Sequence, residues 1–382
     1  MDTETDFYST WLEIDLDAIK NNIQRIQELT QTAVMAVVKA NGYGHGLVEV
    51  ARTAQAAGAI WCGVSRIEEA KTLRQAGITC RIMVLGYTPP KRVPEAVAEN
   101  ISLTVYTPEL ATAYALEAEH YGFRLHVHAK FDTGMGRLGF FPDEGVAFAK
   151  WLHEHPGLEL EGIFTHFAKA DEPDSDETDK QIDRFEILIQ ELAAAGIRPP
   201  WIHACNSAGA INYPRARYDM VRAGIAIYGL NPSEQSPLPE GFLPALALKA
   251  RLISIKDYPA GHGISYGHIY HTKKQERIGV VPIGYADGFR RHPGNYALIH
   301  GKKVPILGKV CMDQSMLALD DVPEARIGDE VILIGSQNGN QITMDDLAAD
   351  WGTCNYEVVT NLATRVPRIY PGSKEAQGNE NE

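Results

Sequence analysis

Basic and aromatic side chains in this sequence recur where apolar runs end, the places where a side chain can be both held and desolvated. Ala33 to Val38 favours an extended strand, with Val34, Val37 and Val38 β-branched, and it leads directly into Lys39. Asn41-Gly42-Tyr43-Gly44-His45-Gly46 follows, and its glycines free the backbone to turn as a flexible loop. A lysine at such a strand end sheds water, so its pKa falls and it can serve as nucleophile or base. A lysine that merely snorkels out of a strand would read the same from these residues alone.

Lys130 to Gly139 (KFDTGMGRLG) sets Arg137 in a glycine-rich loop. The arginine fork suits a carboxylate, and an ion pair with Asp132 is its alternative use. His203-Ala204-Cys205-Asn206-Ser207 ends another run, and Ser207 is expected at a helix N-cap, where free amides hold either a phosphate or only the cap. Met220 to Gly229 carries Arg222, with Gly224 and Ile225 offering amides beside it. His126 and His128 share one strand face, and His262, His268 and His271 surround Ser265-Tyr266-Gly267. The first pair has no obvious carboxylate partner and the spacing of the other three fits no closed ligand set, so no metal is expected. Tyr266, in a Gly/Ser-rich turn, is expected to be exposed enough to meet a substrate.

Positioning these groups falls to a chain that alternates short strands with helices from Val34 to Arg222, about eight strand-then-helix units. Such alternation implies a parallel sheet, and eight units close most simply into a (β/α)8 TIM-type barrel with its chemistry at the C-terminal strand ends. Lys39, Lys130, His166, His203, Asn206 and Arg222 all fall at those ends. Loops after strands 7 and 8 of such barrels commonly bind phosphate, which groups Ser207 with Gly224 and Ile225. After a Pro- and Ser-rich linker near Asn231 to Pro239 the pattern changes to strands without long helices, among them Leu248 to Ile255 and Ala297 to Val304. The expected organisation is an α/β barrel over 11–238, a mostly antiparallel β domain over 239–371 that residues 1–10 could join, and a disordered tail over 372–382.

The totals exclude several function classes. A net charge of -13 with no basic stripe argues against nucleic acid and anionic membrane surfaces. No apolar run approaches the roughly 20 residues of a membrane helix, and the acidic first residues do not read as a signal peptide. Five scattered cysteines without CxxC spacing suit reduced thiols in the cytoplasm.

VVKANGYGHG, DTGMGRLGF, HACNSA, MVRAGIAIYGL, SYG around Tyr266, GYADG around Tyr285 and Val310-Cys311-Met312-Asp313 occur in this order, and together they resemble the bacterial alanine racemases. The one departure is Gly42, where that family more often has alanine. The resemblance implies pyridoxal 5'-phosphate carried on Lys39, with its phosphate held by Tyr43, Ser207, Gly224, Ile225 and Tyr356. It sets Arg222 against the pyridine nitrogen, His166 beside the ring, and His203 and Asn206 in support. Arg137, Met312 and Tyr285 meet the substrate carboxylate, and Lys130 matches a lysine that is carbamylated (N6-carboxylysine) and holds the arginine. Lys39 and Tyr266 become the two acid/base groups of L-alanine and D-alanine interconversion, which supplies D-alanine for peptidoglycan. An ordinary phenol has a pKa of about 10, so a tyrosine base needs a cationic or hydrogen-bonding neighbour near neutrality. The resemblance also implies a homodimer whose subunits share sites through Tyr266 and Met312. A serine or broader amino-acid racemase, a barrel-type amino-acid decarboxylase and a non-catalytic carrier of the same cofactor are the alternatives. Tyr266 and Arg222 argue against the decarboxylase, and the whole second domain argues against the carrier.

Overall fold

The computed structural model describes residues 7–372, in two compact units. One is Asp17–Pro244; the other joins the N-terminal residues up to Leu16 with the chain from Ala245 onward. The tail expected to be disordered lies almost wholly outside the described residues.

The chain begins with β1 (Thr10–Ile14), which belongs to the second unit, although the expected barrel range of 11–238 had included it. The physical reason is pairing: β1 runs antiparallel to β10 (Leu246–Arg251), with Thr10 opposite Ala250 and Ile14 opposite Leu246.

The Asp17–Pro244 unit is an eight-stranded parallel sheet. Its strands are β2 (Ala33–Val37), β3 (Trp61–Val64), β4 (Arg81–Val84), β5 (Ile101–Val105), β6 (Leu125–Lys130), β7 (Leu158–Phe164), β8 (Trp201–His203) and β9 (Met220–Ala223). They pair in the order β8-β7-β6-β5-β4-β3-β2-β9. Asp219 N donates to Ile202 O at 3.1 Å and Arg222 N to Cys205 O at 2.9 Å, which draws β9 against the β8 segment and closes the ring. Helices connect the strands and bury one stripe each; Leu16–Thr30 buries Ala18, Ile19, Ile23 and Ile26 at helical spacing. Met35, Trp61, Met83, Phe164 and Met220, from β2, β3, β4, β7 and β9, form one buried apolar cluster. Each such buried side chain contributes roughly 1.5–3 kcal/mol, so the polar strand ends stand on a packed floor.

The second unit is mostly antiparallel. Besides β10 it contains β11 (Ser254–Tyr258), β12 (Gly263–Ile264), β13 (Tyr270–His271), β14 (Glu276–Val281), β15 (Tyr296–Ile299), β16 (Lys302–Leu307), β17 (Ser315–Ala318), β18 (Glu330–Gln337), β19 (Asn340–Ile342) and β20 (Arg368–Ile369). Two runs expected to be single strands are each broken. Leu248 to Ile255 divides because β10 pairs with β1 and β18 whereas β11 pairs with β14. Ala297 to Val304 folds back at His300 and Gly301, whose φ of 53° and 80° make the two-residue loop that suits strand twist. The short helix Met344–Trp351 is capped by Thr343, whose Oγ1 accepts from Asp346 N at 3.0 Å. No helix among the described residues is long and apolar enough to cross a membrane.

Candidate active site

Lys39 is fixed by the strand that precedes it. Val38 N donates to Gly63 O at 2.9 Å, extending the ladder to the residue before the lysine. The following segment is an ordered left-handed turn rather than the expected flexible loop, with φ of 54°, 56°, 59° and 50° at Ala40, Asn41, Gly42 and Tyr43. Each non-glycine residue in that region costs roughly 1–2 kcal/mol, so the turn needs outside support. Glu69 supplies it: Oε1 accepts from Ala40 N at 2.6 Å, and Oε2 accepts from Ser65 N at 2.8 Å. Asn41 Oδ1 accepts from Leu47 N at 3.0 Å. Burial and the nearby charge of Arg137 hold the Lys39 amine below the ordinary lysine value, with Glu69 opposing them.

Lys130 ends β6, buried against the Phe164 ring with its Nζ 5.7 Å from the centroid. Its Nζ makes no ion pair or hydrogen bond among the described residues. Burial, then the charges of Arg137 and Arg222, lower its pKa to about 8. Arg137 is exposed and is not spent on Asp132. The Asp132 carboxylate accepts instead from backbone amides, of Gly134, Met135 and Gly136 at Oδ1 and of Arg137 at Oδ2. Burial pushes that carboxyl up, but the four amide donors outweigh it and keep it below its ordinary value. The loop is thus shaped by Asp132 while the Arg137 fork stays available.

Arg222, on β9, is buried at the barrel mouth. Nη1 donates to His203 Nδ1 at 2.9 Å; Nη2 donates to Ala204 O at 2.7 Å, Thr165 O at 2.8 Å and His166 Nδ1 at 3.1 Å. Desolvation lowers its pKa to about 10, still a cation at neutral pH. Behind it lies a chain that sequence reasoning missed. His203 Nε2 meets His128 Nδ1 at 2.9 Å, His128 Nε2 meets Glu161 Oε2 at 3.3 Å, and Ser102 Oγ donates to the same oxygen at 2.5 Å. Arg81 pairs with the other Glu161 oxygen. The available signal was two alternating polar pairs on adjacent strands, His126 and His128 on β6 with Glu159 and Glu161 on β7. The expectation that the histidine pair has no carboxylate partner is therefore corrected.

Ser207 differs by one position from its expected role. Asn206 is the N-cap, its Oδ1 accepting from Gly209 N at 2.9 Å, and Ser207 is the first residue of the helix Ser207–Asn212. Ser207 Oγ accepts from Gly224 N at 3.0 Å and Ala226 N at 3.3 Å, tying the loops after β8 and β9 together. Ile225 follows Gly224 in the second of these loops. A Cβ on Gly224 would stand 2.7 Å from Tyr43 Oη, so the glycine keeps open a space beside that hydroxyl. Lys39, Tyr43, Lys130, Arg137, His166, His203, Asn206, Ser207, Arg222, Gly224 and Ile225 all belong to the barrel unit. Four of these residues, Lys39, Lys130, Arg137 and Arg222, are cations and none is a carboxylate, which suits anionic ligands.

Tyr266, Tyr285, Met312 and Tyr356 belong to the other unit. Tyr266 is 68% exposed, on a turn between Ser265 (φ 62°) and Gly267 (φ 72°). Ser265 Oγ donates to Lys309 O at 2.5 Å and anchors the turn. Tyr266, Cys311, Met312 and Asp313 line an open cavity of about 690 Å³. Tyr285 N donates to Cys311 O at 3.1 Å and Ala286 N to Met312 O at 3.0 Å. The loops meet so closely because Gly284 has no side chain; a Cβ there would lie 2.3 Å from both Cys311 O and Met312 O. Tyr356 lies on the short helix Asn355–Thr360. Among the described residues no group of three or more His, Cys, Asp or Glu side chains could hold a metal ion.

Comparison with known proteins agrees with this architecture. Residues 14–232 match the alanine racemase N-terminal domain and residues 245–370 the C-terminal domain. An alanine racemase of Desulfosudis oleivorans is 47% identical, with 95% of this chain and 97% of the relative covered. One of Desulfovibrio desulfuricans is 44% identical, with 94% and 97% covered. The crystal structure of the Bacillus anthracis alanine racemase with bound L-Ala-P superposes with a TM-score of 0.90 at 42% identity, covering 95% of each chain. With both of its units matched in order and its relatives aligned over nearly their full length, the chain belongs to the alanine racemase family.

Proposed function

We propose that this racemase interconverts L-alanine and D-alanine with pyridoxal 5'-phosphate held on Lys39, using Lys39 and Tyr266 as bases on opposite faces. The observation that carries the reading is the cluster of Lys39, Lys130, Arg137 and Arg222 at one end of the barrel, where burial and mutual repulsion lower both lysine pKa values. The residues fit the group: the space kept by Gly224 beside Tyr43 Oη suits a phosphate, and the cation excess suits its charge. When bound, the cofactor offers a conjugated ring that takes up electron density as the α-proton leaves.

Tyr43, Ser207, Gly224, Ile225 and Tyr356 hold the phosphate. His166, with His203 and Asn206 behind it, orients the ring. Arg222 faces the ring nitrogen and, being a donor only, gives that atom no proton to keep. This tempers the electron withdrawal and limits side reactions. Arg137, Met312 and Tyr285 orient the substrate carboxylate. Lys39 Nζ removes or returns the α-proton on one face, aided by its lowered pKa, and Tyr266 Oη does so on the other. Tyr266 and Met312 are contributed by the partner subunit of a homodimer. Lys130 carries a carbamate that pairs with Arg137; its pKa of about 8 leaves enough neutral amine to capture carbon dioxide. The enzyme works in the cytoplasm and supplies D-alanine to peptidoglycan.

Proton NMR of L-alanine with the holoenzyme in deuterated water, followed by chiral analysis, tests the reading. Loss of the α-proton signal with an equal mixture of enantiomers is expected. Exchange without D-alanine would remove the two-base assignment, and no exchange with alanine but exchange with serine would remove the substrate. A bacterium that depends on added D-alanine should grow without it when given this chain.

A further inference from the structure

Between two neighbouring barrel strands, two thiols meet. Cys62, the second residue of β3, is fully buried, and Cys80, which immediately precedes β4, is partly exposed. Their sulfurs are 3.5 Å apart, within hydrogen-bond contact. The strands are in register with Trp61 opposite Arg81 and Cys62 opposite Ile82, so the parallel ladder itself sets this approach. The backbone of Cys80 is pinned on both sides. Its N donates to Gln55 Oε1 at 2.8 Å, and its O accepts from Arg74 Nη1 at 2.8 Å. Arg74 is itself locked on carbonyls, of Ile78, Glu99 and Asn100, so a fixed cation stands beside the pair.

The two sulfurs are not equivalent. Cys80 lies below the ordinary thiol value because of its hydrogen bond to Cys62 and the charge of Arg74, against the effect of its own burial. The hydrogen bond to Cys80 and burial hold Cys62 well above it. A partly exposed cysteine of lowered pKa next to a buried thiol is the arrangement of an attacking and a resolving cysteine. The remaining cysteines lack it: Cys205 Sγ donates to Ala216 O at 3.1 Å, Cys311 meets Lys309 O and Ser265 Oγ, and Cys354 is exposed.

We propose that Cys62 and Cys80 form an oxidisable dithiol, a modification site for hydroperoxides outside the racemase centre. The Cys80 thiolate attacks one peroxide oxygen; the O–O bond breaks, and the departing oxygen takes a proton and leaves as water. Cys80 is then a sulfenic acid. The Cys62 sulfur attacks the Cys80 sulfur, the S–O bond breaks, and the hydroxide leaves with the Cys62 proton as a second water. Two thiols and one hydrogen peroxide thus give one disulfide and two waters, with two electrons passing from sulfur to oxygen. The new bond closes a ring around the helix Ile67–Gln75, between β3 and β4. Cys80 stands at the N-terminal end of β4, away from the end that carries Lys39, and Cys62 lies opposite Ala36 of β2, three residues before the lysine.

The test uses the holoenzyme exposed to hydrogen peroxide, blocked with N-ethylmaleimide, unfolded and digested without reductant. A peptide joining residues 62 and 80, lighter by two hydrogens than its separate parts and released by dithiothreitol, is the expected product, with the racemisation rate kept within about twofold. In Cys62→Ser the sulfenic acid on Cys80 loses its partner and is trapped by dimedone, and in Cys80→Ser no joined peptide forms. The proposal is overturned if peroxide oxidises Cys354 while residues 62 and 80 are both recovered as free thiols. It is equally overturned if Cys80 passes to the sulfinic acid in the wild type with Cys62 untouched.

Discussion

Arg222 Nη1 donates to His203 Nδ1 over 2.9 Å, and this one bond decides the protonation of everything behind it. An arginine only donates, so His203 Nδ1 is bare and its proton sits on Nε2. That proton points at His128 Nδ1, which forces the His128 proton onto Nε2 and toward Glu161. The barrel core thus holds two neutral histidines with fixed tautomers between a cation and a carboxylate.

Breaking the far end exposes this dependence. Glu161→Leu leaves the buried His128 Nε2–H without its acceptor and lowers stability by about 1–3 kcal/mol, read by chemical denaturation. The double variant His128→Phe with Glu161→Leu removes both partners and recovers part of the loss. A double variant whose loss equals the sum of its singles would mean that the chain does not act as a unit.

Acid acts through the same rings. Burial holds His128, His166 and His203 below the ordinary histidine value, His128 at about 3. Unfolding lets each take up a proton once the pH is below 6.5, the value His128 has when unperturbed. Stability therefore falls as pH drops from 6.5 toward 3. His128→Phe should flatten the pH dependence of unfolding free energy by up to one proton, about 1.4 kcal/mol per pH unit. An unchanged slope would show that His128 is already charged in the native barrel.

The two proposed bases separate by isotope exchange. Tyr266→Phe should reduce racemisation by about 10²–10⁴-fold, while α-proton exchange of a single enantiomer continues through Lys39. Lys39→Ala should abolish exchange of both. Exchange of both enantiomers by the Tyr266 variant would transfer its role to another group.

Gly284→Ala isolates the meeting of the Tyr285 and Met312 loops. The backbone there is extended, so the added methyl is a purely steric insult against Cys311 O and Met312 O. A loss of about 1–3 kcal/mol is expected, together with a KM for alanine that rises more than kcat falls. Thermal denaturation and steady-state kinetics read the two effects separately.

What could be read from the residues, and what could not, follows from range. Lys130 and Arg222 are legible as strand-end groups because each closes a β-branched or apolar run within a few positions. Asn206 rather than Ser207 takes the cap because both are good capping residues and only the observed backbone chooses between them. The left-handed turn after Lys39 is hidden because Ala40 and Tyr43 do not favour that conformation; its support comes from Glu69, far along the chain. The Glu161 partnership depends on the β6–β7 register, which shifts between Val127 and His128 and which no local pattern reveals. The hairpin at His300-Gly301 is missed because valine, isoleucine and leucine continue on both sides of it.

The antiparallel partner of the first strand, β1, is β10, with Thr10 opposite Ala250. During synthesis every residue of Asp17–Pro244 leaves the ribosome before that partner exists, so the barrel has time to fold while its leading segment waits unpaired. Ribosome-stalled chains ending at Pro244 should lose residues 10–14 to protease, and chains extended past β18 should keep them. Birth order and assembly order are therefore reversed here: the first strand made is among the last to be secured.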